Sequence, residues 1–535
     1  MTVVLITSGA LVSSELASEF GLIPPSFLPV GGQRLFVHQQ RLVGPFASRV
    51  LLSLPDSFEI PLRDRDLLAE LGIEVVRVTS GLSLGQSVLS ALTAGDVVKG
   101  PVMILHGDTL VLDAWLGQAD VISVARSRDF YAWAQVEVTD GILRDIVSDS
   151  RYGSAEALVA TGYFAFSDVA ALSQHIVAED GEFMRGVRSY SGDMPLRAVE
   201  TTAWCDFGHV HTFFLSRSRF VTARSFNAFV AEPRSFQKSS ANPAKLRGEF
   251  QWFDELPREL RCFVPAVLDA KATPSFSYSL ENLYLSTLSE LAVFGALPTS
   301  TWSYIFEACD EFLSACSRHR APNPEHASRQ AARLYAENAC TRLTRYARAT
   351  GIDLTHPWIV NGTQTPPLET VIAVCGQAIE QTLAPKACLT HGDFCFSNIF
   401  YDFRSRSIRV IDPRGVDADG NPSRFGDPRY DIAKLHHSAV GCYDFIIAGY
   451  FDYQLNAPYD VSFSVAGAPE ITALFEATPF LGRPIGAHGA EPISALLFLS
   501  MLPLHADNKD RQSAFLANAL RLFIRWQEQN RRPSP

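Results

Sequence analysis

Two short stretches hold the residues best placed to do chemistry. In His391-Gly392-Asp393-Phe394-Cys395-Phe396-Ser397-Asn398 an aspartate stands five residues ahead of an asparagine, and the strand-like run Ile408-Arg409-Val410-Ile411 then delivers a second aspartate, Asp412, followed by Pro413-Arg414-Gly415. One carboxylate to orient or deprotonate a hydroxyl, with an amide oxygen and a second carboxylate to hold Mg2+ on phosphates, is the donor set of phosphoryl transfer. Taken singly, either aspartate is as well explained by an Asx turn or a cap at a strand end. The order and spacing of all three favour the chemistry.

This pattern, HGDxxxxN with a following aspartate, resembles the aminoglycoside phosphotransferase and choline kinase group of small-molecule kinases over roughly residues 225–535. The resemblance implies Asp393 as catalytic base, Asn398 and Asp412 as the residues that hold the metal, Mg2+ as cofactor and ATP as phosphoryl donor. The run Gly426-Asp427-Pro428-Arg429-Tyr430-Asp431-Ile432-Ala433-Lys434-Leu435 matches the stretch after the metal loop, with Asp427 organising the site rather than reacting. A kinase of this kind also needs a lysine that reaches the α/β-phosphates and a helix glutamate that holds it. Lys238 ends a strand-like run just before Asn242-Pro243, an N-cap residue followed by proline at the first helical position, and Glu249 sits two turns into the expected helix. The run Leu280-Glu281-Asn282-Leu283-Tyr284-Leu285 becomes the hinge, with Glu281 and Leu283 meeting the adenine through the backbone. No Gly-rich phosphate loop of kinase form is present.

The amino-terminal half carries a second, more dispersed set: Thr7-Ser8-Gly9-Ala10, the run from Pro24 to Phe36 with Gly31-Gly32, Gly81-Leu82-Ser83-Leu84-Gly85-Gln86, His106-Gly107-Asp108-Thr109, and Trp204-Cys205-Asp206-Phe207-Gly208. An aspartate at the end of a parallel strand, with a distant second one, can hold one Mg2+ across a nucleoside triphosphate. Each element alone reads as a turn or a cap, and the order is what counts. That order resembles the sugar-phosphate and choline-phosphate nucleotidyltransferases of glycosyltransferase-A type, over residues 1–220. The resemblance implies that Gly9 and Gly85 lie against the nucleotide, a second nucleoside triphosphate, that Asp108 and Asp206 bind metal, and that Thr161 to Phe166 is the acceptor-side strand. Two departures stand out. The first loop, Ser8 to Glu15, lacks the basic residue of GxGxR, and Pro25 takes the place of a lysine, so both cations that steady a departing pyrophosphate are missing. Arg34 is the candidate substitute.

The elements that must position these residues follow from periodicity. Val3 to Ile6, Val50 to Leu52, Val75 to Val78, Val102 to Leu105 and Val121 to Val124 alternate with amphipathic segments, among them the crossover Gly85 to Leu92, which predicts a mostly parallel, Rossmann-like α/β sheet. The alternation is lost near 222–228. The expected organisation is a nucleotidyltransferase-like domain over 1–222, then a bilobal protein-kinase-like domain with a small lobe over 223–300 and a mostly helical lobe over 301–535. In the last, long helices are expected at Tyr304 to Ala315, Glu325 to Ala349, Leu368 to Leu383 and Phe515 to Trp526, apart from one hairpin-like insert at 388–415.

Composition limits the partners. The chain has 535 residues with 46 Lys and Arg against 57 Asp and Glu, a net charge of −11, and no basic run of the kind that tracks a phosphate backbone, so nucleic acid is not an expected partner. Nine cysteines without a CxxC pair suit a reduced cytoplasm, and the apolar start reads as a buried strand rather than a signal. Ile493 to Leu504 is too short and too interrupted for the ~20 residues of a membrane span. The expectation is therefore a cytoplasmic bifunctional enzyme that phosphorylates a small alcohol, a sugar or an amino alcohol, and couples the phosphate to a nucleotide, as in fused pathways toward surface polysaccharide. The alternative keeps the kinase and makes residues 1–222 a regulatory or binding module. The acceptor and the oligomeric state stay open: Trp252, Trp302, Tyr443 and Tyr450 suit either a quaternary-ammonium cage or a core, and Arg414 either an anionic acceptor or a partner such as Asp417.

Overall fold

A computed structural model describes residues 2–113, 117–127, 131, 133–147, 157–220, 227–231, 234–240, 242–271, 276–382 and 386–531. Residues 221–226, within the expected domain boundary, lie outside them. The chain is mixed α/β and forms two compact units, one of residues 1–222 with 294–296, the other of 223–293 with 297–535.

In the first unit the aliphatic runs become a nine-stranded sheet in the order Ile73–Val78, Arg49–Pro55, Val3–Thr7, Val102–His106, Ala157–Phe166, Val121–Ser127, Arg197–Glu200, Ile142–Val147, Gln135–Thr139. Leu5, Leu51, Ile104, Phe164 and Phe166 meet Val88, Leu92, Leu172 and Ile176 of two covering helices in one buried core. The helix Leu84–Ala94 is started by a capping box, Ser83 Oγ accepting from the Gln86 N–H and Gln86 Oε1 from the Ser83 N–H. The first four strands of the order are mutually parallel, but the sheet as a whole is not mostly parallel: Ala157–Phe166 runs antiparallel to both neighbours, and Ile142–Val147 to Gln135–Thr139. The reason is local. A parallel return needs a long crossover, whereas Asp140-Gly141 joins the last pair as a two-residue turn with both φ values positive, 52° and 76°.

The second unit opens with a four-stranded antiparallel sheet, Asn227–Ala231, Ser235–Ser240, Ser277–Glu281 and Val267–Lys271 in that order, and the helix Pro243–Asp254, whose N-cap Asn242 accepts from the Lys245 N–H. Helices dominate the remainder of this unit, with the hairpin Ile399–Asp402 and Ser407–Val410 set among them. Two expectations are corrected. Glu325 to Ala349 is two helices, Pro324–Ala332 and Ala336–Thr350, and a second hairpin, Phe451–Ala457 with Asp460–Val465, completes another four-stranded sheet. Its period-two pattern, Phe451, Tyr453, Leu455 and then Val461, Phe463, Val465, is the strand signal. The apolar run at 493–504 is divided between the buried helix Ala490–Met501 and the short turn of helix Leu502–His505, and among the described residues no helix is long and apolar enough to cross a membrane.

Candidate active sites

In the second unit the strand Ser235–Ser240 places Lys238 inward, and the helix Pro243–Asp254 turns Glu249 toward it; both are 4% exposed. Lys238 Nζ bonds Glu249 Oε1 and also Asp412 Oδ1 at 2.8 Å, while Tyr278 Oη donates to Glu249. Burial opposes the charge on Lys238, and the carboxylates of Asp412 and Glu249 overcome it, holding the ammonium above its ordinary value. Burial, then the charge of Asp412, raises Glu249. A close backbone approach sets this geometry. A Cβ on Gly415, whose φ is +66°, would stand 2.4 Å from the Glu249 nitrogen, so only glycine lets the loop after Asp412 press against the helix.

The catalytic-loop residues form an adjoining set. Asn398 Nδ2 donates to the Asp393 carbonyl (2.9 Å) and to Asp393 Oδ2 (3.1 Å), and the Ile411 N–H donates to the Asn398 carbonyl (3.0 Å), which holds Asn398 beside the metal-loop strand. Lys434 Nζ reaches Asp393 Oδ1 at 2.9 Å. Asp431, fully buried, accepts from the His391 and Gly392 N–H groups at 2.8 and 2.7 Å and so holds the loop; burial pushes it up to about 7. Neither Lys434 nor Asp431 was singled out by sequence, although their i, i+3 spacing on the helix Pro428–Ala439 puts both on one face. Asp427 is that helix's N-cap and is chelated by Arg429 (2.7 Å) and Tyr335 Oη (2.9 Å). His391 is packed among Trp252, Phe312 and Phe394, and burial takes it down to about 4.

The set fits Mg2+. Asn398 gives its NH2 to Asp393 and keeps a side-chain carbonyl oxygen, and Asp412 spends only Oδ1 on Lys238, so hard oxygen donors remain, as the ion requires. At the expected hinge, the Glu281 carboxylate and N–H are both engaged with Ala266, whereas the Leu283 N–H makes no hydrogen bond among the described residues. Of the two readings of the aromatic residues, the core holds: Trp252 is buried and donates to the Thr390 carbonyl, Trp302 is buried against Phe396, and Tyr443 and Tyr450 are buried as well.

In the first unit the strand order reverses between Val3–Thr7 and Val102–His106, the kind of crevice where α/β sheets bind ligands. Gly9 and Asp108 follow the carboxyl ends of these two strands. The strand Trp204–Asp206 pairs antiparallel with Thr109–Val111 and sets Asp206 opposite Thr109. A Cβ on Gly208 would lie 2.6 Å from Asp108 Oδ2 and 3.4 Å from Asp206 Oδ1, so both carboxylates face one small space. Burial and then the charge of Asp206 push Asp108 up to about 7. Two facing carboxylates fit a divalent cation completed by phosphate oxygens.

Around this pair lie residues that sequence did not single out. His209 Nδ1 stands 3.2 Å from Asp206 Oδ2, a bond that holds its ring above the ordinary value, and the ring stacks on Tyr131 at 4.1 Å, with Trp133 beside it and Trp204 against Trp133. Packing constrains both glycines: a Cβ on Gly85 would come 2.3 Å from the Gly181 carbonyl oxygen, and one on Gly9 would meet Val78 at 2.5 Å. Arg34 cannot stand in for the missing cations. It is buried in an ion pair with Asp64 (2.7 Å) and donates to the Phe27 carbonyl.

No protein-family model matches the chain, and no curated protein does. Solved structures similar to it include HddC from Yersinia pseudotuberculosis (18% identity, 41% of this chain and 100% of that one, TM-score 0.32). The inositol-1-phosphate CTP transferase from T. maritima follows at 14% identity, 42% and 98%, with a TM-score of 0.33. An aminoglycoside-3'-phosphotransferase of type VIII covers 56% of this chain and 94% of its own, at 14% identity and a TM-score of 0.27. The chain is thus similar to nucleotidyltransferases over its amino-terminal part and to a phosphotransferase over a larger span. At these scores the likeness decides nothing about chemistry, which is read from the side chains.

Proposed function

We propose that the chain is a bifunctional enzyme whose second unit transfers the γ-phosphoryl group of ATP to the hydroxyl of a small molecule, and whose first unit couples a phosphate to a nucleotide. The observation that supports it is the chain of bonds Glu249–Lys238–Asp412, with Asp393 and Asn398 bonded together next to it. Lys238, fixed from two sides, is suited to the α/β-phosphates, and Asp393 to orienting the acceptor hydroxyl and receiving its proton. Asn398 and Asp412 would hold Mg2+, which when bound neutralises charge on the phosphates. The small lobe and helical lobe of a kinase, with the hinge at Leu283, belong to this reading.

In the first unit Asp108 and Asp206 would hold the metal of nucleotidyl transfer, Gly9 would let a nucleotide approach, and a nucleotide-activated precursor would be the product. A second reading, in which this unit only binds or regulates, is favoured by one observation: Arg34 is committed to Asp64, and the loop from Ser8 to Glu15 supplies no cation.

The test is ADP release from ATP and Mg2+ over a panel of sugars, polyols, amino alcohols and their acidic counterparts. Turnover with one acceptor should fall about 10³-fold in Asp393→Asn, the size of a lost general base; equal turnover in the variant would sink the kinase reading.

A further inference from the structure

One face of one helix holds the loop that carries Asp393. The helix Pro428–Ala439 starts at its cap Asp427, which accepts from the Arg429 N–H and from Tyr335 Oη, so the position of its first turn is fixed. From there Asp431, Lys434 and Ser438, at i, i+3 and i+7, project from the same side. Asp431 accepts from the His391 and Gly392 N–H groups, Lys434 reaches Asp393, and Ser438 Oγ accepts from the Phe396 N–H at 3.1 Å. The two outer contacts are to backbone and shape the loop. The middle one is to the side chain that would meet the acceptor.

Asp393 is gripped at both carboxylate oxygens. Lys434 Nζ stands 2.9 Å from Oδ1, and Asn398 Nδ2 donates to Oδ2 at 3.1 Å, so the carboxylate cannot turn without breaking a bond. The side chain of Lys434 is 12% exposed against 38% for Asp393, which leaves the carboxylate open to an acceptor with the ammonium behind it.

Other lysines of the chain are placed differently. Lys99, Lys245, Lys271, Lys386 and Lys509 are exposed, whereas Lys238 and Lys434 are withdrawn from water and end on carboxylates of the proposed reaction centre. Withdrawing an ammonium is costly unless a paired acid offsets it. For Lys238 the phosphates of ATP supply a role. Lys434 has its contact with Asp393 and, as yet, no assigned part in the reaction.

We propose that Lys434 is a positioning residue for the phosphoryl transfer: together with Asn398 it fixes the Asp393 carboxylate in the orientation that meets the acceptor hydroxyl, and so governs the rate of transfer and not the binding of ATP. This rests on the kinase reading of the same unit. Lys434 acts through Asp393 and touches no substrate itself.

The experiment is steady-state ADP release from ATP and Mg2+ by the full chain, with water alone and with the panel of alcohols, read below each variant's melting temperature. Lys434→Met should lower kcat about 10²-fold, the cost of misplacing a reacting group by about 1 Å, and change KM for ATP by no more than about 2-fold. Lys434→Arg, which keeps a cation able to reach the carboxylate, should regain about 10-fold of that loss. The double variant Lys434→Met with Asp393→Asn should be no slower than Asp393→Asn alone, because a residue that acts through Asp393 then has nothing left to position. Lys434→Gln takes the place of Lys434→Met if the methionine variant does not fold.

Full activity in Lys434→Met, a loss carried by KM for ATP, or losses that multiply in the double variant each overturn the inference; a lysine that merely props the fold would give the last of these. The kinase reading is measured apart, by binding of a non-hydrolysable ATP analogue with Mg2+, lost in Lys238→Ala, and by turnover lost in Asp393→Asn. Where those two hold and Lys434→Met is unaffected, the inference fails alone. Where the native chain releases no ADP with any acceptor, the kinase reading has failed and the inference falls with it.

Discussion

The two carboxylate sites of this chain handle charge in opposite ways. In the second unit the three acids at the proposed reaction centre each have a cation in place: Lys238 bridges Glu249 and Asp412, and Lys434 meets Asp393. In the first unit Asp108 and Asp206 face each other, His209 and Thr212 bond Asp206, and Arg34, the candidate substitute cation, is paired with Asp64. A prearranged set of charges lowers the cost of reorganisation during phosphoryl transfer. Under the proposed nucleotidyl-transfer reading, such a pair would depend strongly on a cation that comes with the substrate and would stabilise a leaving pyrophosphate weakly.

Removing the shared cation should break the contrast most forcefully. Lys238→Ala leaves Glu249 and Asp412 facing each other as Asp108 and Asp206 do, so kcat/KM for ATP should fall by about 10²–10³-fold. The loss of a buried partner also costs on the order of 3–5 kcal/mol, so the rate is to be read well below the variant's own melting temperature. A variant with nearly full activity would show that Lys238 is only structural.

The opposite change sharpens the comparison. Pro25 adjoins Ser26, whose N–H donates to Ser8 Oγ and whose hydroxyl donates to the Gly107 carbonyl, so position 25 lies close to both the first loop and the Asp108 turn. Pro25→Lys should supply the missing cation and raise pyrophosphate release by about 10-fold, a fraction of what a full set of oxyanion contacts gives. Unchanged release, measured with each nucleoside triphosphate and a panel of sugar and choline phosphates, would favour a first unit that binds without catalysing.

Much of this was legible in the sequence, and most of the illegible part has one cause. Lys238 and Glu249 could be placed because Asn242-Pro243 fixes where the helix starts and therefore which face Glu249 shares. The first strands could be placed because their aliphatic runs are separated by whole amphipathic helices. Lys434 on Asp393, Arg34 on Asp64 and Trp252 on the Thr390 carbonyl were not legible, since each is a side-chain contact between segments remote in sequence that no local pattern marks. The antiparallel half of the sheet was missed for a different reason: Asp140-Gly141 is a strong hairpin signal that the alternation of strands and helices overshadowed.

The smallest expected effect separates the units by acid. In the second unit burial lowers His391 to about 4, His436 to about 3 and His437 well below its ordinary value, against which burial raises Asp431 to about 7 and also raises Glu249 and Glu491. In the first unit the fall of His106 to about 4 is countered by the rise of Asp108 to about 7. A histidine lowered on folding stabilises fully above its unfolded value near 6.5 and loses that contribution as pH falls toward the folded value, on the order of 3 kcal/mol for a ring such as His391. A carboxyl raised on folding does the reverse, gaining as pH falls. Between pH 6.5 and 4.5 the first unit should therefore hold its stability while the second loses several kcal/mol. Pulse proteolysis in urea at the two pH values, with fragments assigned by mass, reads each unit within the intact chain; earlier acid loss of the first unit would show that its two opposed shifts do not balance.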